Sequence, residues 1–145
     1  FFATGSISAV LFSAVKIKNG PELNKKILKK ALGLILFIVG GAWLVFFLFS
    51  ELIIEILIGS RYLVLAHLLA ELSLLMAMVS LINLLFFYFL ALRRPIIFSA
   101  ALVGPAIVCF LIFFRHDSLE QIIYDFLIGS AAVLAVLFYG IFKKR

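Results

Sequence analysis

Charged residues are scarce in this 145-residue chain, at 14% of the total, where about 25% is usual for a soluble domain. With so little polar surface available to coat a globule, an ordinary water-soluble fold is excluded. Cysteine is nearly missing too: the lone Cys109 excludes an internal disulfide and any cysteine-built metal site. The only histidines are His67 and His116. Neither has neighbours spaced as a metal site requires, and both read as interfacial residues. No Gly-x-Ser-x-Gly turn and no Walker motif is present, which removes that class of serine hydrolase and ATP hydrolysis by this chain. The expectation is a protein that is not an enzyme and needs no cofactor. Lysine and arginine fall in short clusters rather than in a stripe interleaved with aromatics, so the net charge of +6 does not point to nucleic acid.

What is abundant is apolar sequence: 66% of residues are hydrophobic, against roughly 45–50% in soluble chains, and the mean hydropathy is +1.30. A helix crosses about 30 Å of hydrocarbon with about 20 apolar residues. Residues 31–50, 71–92 and 95–114 each supply one such block, and residues 119–142 supply a fourth that carries Glu120 and Asp125 in its first turns. Residues 1–15 are apolar but short, about 23 Å as helix, and nothing basic precedes them as a signal peptide would require. They read as the end of a truncated span. The predicted fold is therefore an all-α integral membrane domain of four full crossings and one cut crossing.

Of the 13 lysines and arginines, eleven lie in residues 16–30, at Arg93 and Arg94, and at Lys143, Lys144 and Arg145. These clusters alternate with the crossings. The positive-inside rule then makes residues 16–30 a cytoplasmic connection and puts the C-terminus in the cytoplasm of a cell membrane, inner or plasma. Asn19-Gly20-Pro21 is a turn, after which Leu23, Ile27 and Leu28 alternate with lysines as an amphipathic helix running into the first full span. Residues 51–66 are too short and too charged to cross. They read as an external interfacial segment whose helix ends at Gly59. Ser118 with Gln121 forms a capping box at the start of the last helix.

Polar groups at membrane depth need a reason, because each is costly to insert. Glu71 and Asp125 lie near the external ends of their spans. They either reach toward water or face an outward-opening cavity and bind a proton or cation. Asn83 is the deepest polar group, near Ser73, Ala77 and Ser80, and is expected to hydrogen-bond across a packing seam or to line a transport path. Gly104-Pro105 sits in mid-span, where Pro105 removes the bond to the Ala101 carbonyl and permits a hinge. Gly33 and Gly40, and Ala100 with Gly104, are read as close-packing positions.

From residue 16 onward the order of features resembles the C-terminal part of the polysaccharide and O-antigen flippases, in the multidrug/oligosaccharidyl-lipid/polysaccharide transporter superfamily. The resemblance rests on Pro21 after a lysine-bearing turn, on Ile53-Ile-Glu-Ile-Leu-Ile-Gly59-Ser-Arg-Tyr62 followed by Ala66, and on the short connection Ala91-Leu-Arg-Arg-Pro95. It implies part of a six-helix bundle in a two-bundle transporter. The missing N-terminal half of the same chain would complete it. The implied substrate is a polyprenyl-linked glycan moved to the outer leaflet, with membrane lipids as surroundings and an ion gradient as the drive. Family cavities are cationic, whereas no lysine or arginine lies at mid-depth here, so the missing half would have to supply that charge. A multidrug or cation exporter of the same superfamily, with Glu71 and Asp125 as cation sites, is one alternative. A small non-catalytic scaffold subunit is another.

Overall fold

A computed structural model describes residues 2–15, 20–114 and 118–142. The elements are α1 (Phe2–Ala14), α2 (Pro21–Leu48), α3 (Ser50–Leu57), a 3-10 segment (Ser60–Leu65), α4 (Ala66–Ala91), α5 (Ile96–Phe114) and α6 (Leu119–Phe142). Four of them, α2, α4, α5 and α6, are long and apolar enough to cross a membrane. The chain is all-α among its described residues, as the apolar blocks predict.

Local chemistry explains where the helices start and stop. Pro21 occupies the first turn of α2, where its missing N–H costs no intrahelical bond. From there α2 continues unbroken through the lysine-bearing segment into the apolar span. Lys26, Lys29 and Lys30 are exposed while Asn24, Leu28 and Ile35 are buried along one stripe. A break at Phe49 separates α2 from α3. The segment 51–66 then divides at Gly59, whose φ of +107° and N–H bond to the Ile54 carbonyl at 3.0 Å end α3. That left-handed backbone is available to glycine at no steric cost. At the head of α6, the Gln121 N–H reaches the Ser118 hydroxyl at 3.3 Å, the N-cap half of the expected box.

The central element is α4. Helices α1, α2 and α6 surround it, and α5 packs mainly on α6. Thr4 meets Ser80 and Phe12 meets Phe87, so α1 runs parallel to α4. The innermost side chains are Ile35, Leu84, Leu85, Phe89 and Leu137. The Thr4 hydroxyl donates to Ser80 Oγ at 3.3 Å in this interior, and the Ser80 hydroxyl itself bonds the Met76 carbonyl at 2.9 Å. Such interhelical bonds contribute about 0.6 kcal/mol on average in membrane bundles, so close packing carries more of the association than polar pairing.

Large apolar residues point outward, with Phe37 81% and Phe113 77% exposed. Water would penalise such a surface; lipid tails are as apolar as the side chains and do not. Two packing expectations meet different outcomes. Ala100 and Gly104 are buried on one face of α5, and a Cβ added at Gly104 would lie 2.4 Å from Val133 Cγ2 of α6. Gly33 and Gly40, by contrast, have nothing within 4 Å of an added Cβ, so among the described residues they are not contact points. A glycine in an apolar helix does not reveal which face meets a neighbour.

Candidate functional site

The ends of α4 and α6 remote from the lysine clusters carry the ionisable side chains. Along α4, His67 and Glu71 are four residues apart, and along α6 so are Glu120 and Tyr124; each pair therefore shares a helix face. The two helices run parallel, and the faces meet rung by rung. His67 Nε2 lies 2.8 Å from Glu120 Oε1, and the Tyr124 hydroxyl donates to Glu71 Oε1 at 2.8 Å. Both contacts span the same separation of 53 residues.

One position beyond Tyr124, Asp125 turns into the bundle. It is 2% exposed and heads the buried stripe Asp125, Gly129, Val133, Leu137 and Gly140 of α6. Gly129 and Val133 on this stripe abut α5, and Gly140 abuts both Ile96 and Phe89. Of the two readings offered for Asp125, reaching toward water and facing a cavity, the first does not describe a side chain this buried. The helical turn that points Tyr124 at α4 points its neighbour inward. Asp125 Oδ2 and Glu71 Oε2 are both buried and have no hydrogen-bond partner among the described residues. A polar oxygen held out of water without a partner is costly. Both oxygens have acceptor capacity left for a proton or a cation. No group of three or more His, Cys, Asp or Glu side chains converges as a metal site among the described residues.

The remaining sequence candidates lie elsewhere. Asn83 lines a cavity of about 380 Å³ with Val79, Ile82, Phe86, Phe87 and Leu90, all from α4 itself. Ser73, Ala77 and Ser80 line a separate cavity with α1 and α2. Helix α5 runs unbroken through Pro105, which faces outward, while Gly104 faces α6. Tyr62 is exposed on the 3-10 segment, its N–H bonded to the Gly59 carbonyl at 3.1 Å. His116 lies outside the described residues. His67, Glu120 and Tyr124 are the additions to the sequence candidates, and their four-residue spacings on two helices are the signal that points to them. No protein-family model, no curated protein and no solved structure matches this chain.

Proposed function

We propose that this chain is the C-terminal part of a transporter that flips lipid-linked oligosaccharide or polysaccharide precursors across the cytoplasmic membrane, with Glu71 and Asp125 handling the coupling ion. The observation that carries the transport reading is the pair of buried carboxyl oxygens without partners on adjacent helices. Intramembrane acids that face a bundle interior are typical of ion and proton pathways. The substrate class rests on the Gly59 to Tyr62 pattern and the Arg93-Arg94-Pro95 connection. With the lysine-rich end in the cytoplasm, the acidic site lies toward the external face, the side of higher electrochemical potential for the entering ion. Charge neutralisation at Asp125 would change how α6 packs against its neighbours in the bundle. Coupling of this kind requires only that the ion bind one arrangement more tightly than the other.

The acidic pair, combined with the absence of lysine or arginine at mid-depth, also favours a second reading, export of a cationic compound by the same superfamily. Reconstitution of the full-length protein in proteoliposomes separates the two. With a fluorescent polyprenyl-pyrophosphate oligosaccharide in the inner leaflet, imposing a proton or sodium gradient should expose the label to an impermeant outer reagent, and collapsing the gradient should stop it. Accumulation of ethidium in place of glycan flipping would establish the exporter. Movement of neither substrate, with or without a gradient, would overturn transport and leave a scaffold.

A further inference from the structure

We propose that the cavity between the start of α5 and the end of α6 binds the phosphate group of an anionic phospholipid. This inference does not depend on the transport reading. The cavity lies at the end of the bundle opposite the acidic site and measures about 660 Å³. Its polar lining comes from Arg93, Arg94, Ser99 and Tyr139, and Ile96 and Val136 contribute apolar wall.

The decisive feature is unbalanced charge. Two adjacent arginines line one cavity, no carboxylate of a described residue lines it, and neither arginine forms an ion pair with a described residue. Among the described residues the acidic side chain at this end of the bundle is Glu22, and it lies 3.8 Å from Lys25. Arg94 Nη1 donates to the Gly140 carbonyl at 3.2 Å, in the last turn of α6. That bond engages one of five guanidinium N–H donors and leaves the others to donate bidentately to an anion. Arg93 holds a left-handed backbone, φ 51°, where glycine is the usual occupant. In this way α4 ends with a side chain at the cavity instead of a bare turn. Helix α5 then begins at Ile96 beside the same space, and its first N–H groups and dipole add positive potential.

A freely diffusing phosphate would satisfy the same charges. The apolar wall favours the lipid, because the exposed side chains of Phe98 and Leu102 continue outward along α5 from the cavity and offer an acyl chain a track. Basic pockets between membrane helices hold lipid headgroups by this combination.

Native mass spectrometry of the full chain released from detergent micelles tests the proposal, with phosphatidylglycerol, phosphatidylcholine and inorganic phosphate as separate probes. Phosphatidylglycerol should be retained in preference to phosphatidylcholine. Each juxtamembrane arginine contributes about a factor of five, so the paired Arg93→Gln and Arg94→Gln variant should lose about thirty-fold. Arg93→Gln alone keeps the Arg94 bond to Gly140 and should lose about five-fold, which keeps the test readable if the double variant does not fold. Ser99→Phe places a ring in the cavity without changing charge and should weaken lipid retention. Lys25→Gln with Lys26→Gln removes two charges from the same end outside the cavity and should change retention less than about two-fold. Equal loss in the lysine and arginine variants, or full retention by Ser99→Phe, would overturn a built site. Displacement by inorganic phosphate with no preference between the two lipids would overturn the lipid assignment.

Discussion

In the full-length protein, Asp125→Asn should abolish the gradient-driven transport proposed above while expression and assembly stay intact. Asparagine keeps the size and one carbonyl oxygen of aspartate but neither titrates nor carries charge. It therefore removes ion uptake at the head of the α6 stripe without opening a cavity there. The driven component of the rate should fall to the level measured with the gradient collapsed. Asp125→Leu discriminates further. A buried carboxyl with an unpartnered oxygen is a cost to the fold, so the leucine variant should match or exceed the parent's thermal midpoint in detergent while remaining inactive. A merely structural Asp125 would show the reverse, lower stability with transport preserved. Glu71→Gln should be milder, because the Tyr124 hydroxyl already holds one oxygen of that side chain and an amide oxygen can accept the same bond.

The second large effect falls on the α5–α6 contact. Valine at Gly129 should destabilise the purified protein by about 1–3 kcal/mol, the usual penalty of overpacking, and lower its midpoint by several degrees. A Cβ there would sit 2.3 Å from Val108 Cγ2 and 3.3 Å from the Gly104 carbonyl oxygen. Valine in a helix is confined to essentially one rotamer, so Val108 cannot swing aside and the helices must separate. Bilayer association depends on close approach rather than on a hydrophobic drive, which makes the separation costly. The contact is reciprocal, since a Cβ at Gly104 meets Val133. Val108→Ala combined with Gly129→Ala should therefore recover much of what Gly129→Ala alone loses, and this non-additivity marks direct contact. Gly33→Ala, with open space around it, is the control and should be neutral or stabilising by about 0.5–1 kcal/mol.

These two sites differ in how far the residues alone disclose them. Uninterrupted apolar blocks specify helices because a backbone in hydrocarbon must satisfy its own hydrogen bonds, and α5 and α6 follow blocks 95–114 and 119–142 closely. Gly59 and Ser118 are legible because their chemistry is local: a positive φ and an N-cap. Asp125 is legible as an acid in a span, but its burial depends on which side of α6 meets α5. The partnership of Glu71 with Tyr124 depends on the register of two parallel helices, and nothing in either helix by itself encodes that register. The same holds for Gly129 against Gly33, which are alike in composition and opposite in environment.

The whole account depends on the acidic and lysine-rich ends of the bundle lying on opposite faces of a membrane. In a background with Cys109, the chain's one cysteine, replaced by serine, single cysteines at Lys25 and at Glu55, both on described helices, measure this directly with an impermeant maleimide on intact cells. Cysteine at position 55 should label at once and cysteine at position 25 only after permeabilisation. Labelling of both from the same side would contradict the topology and the placement of the ion site and the lipid-phosphate cavity that follows from it.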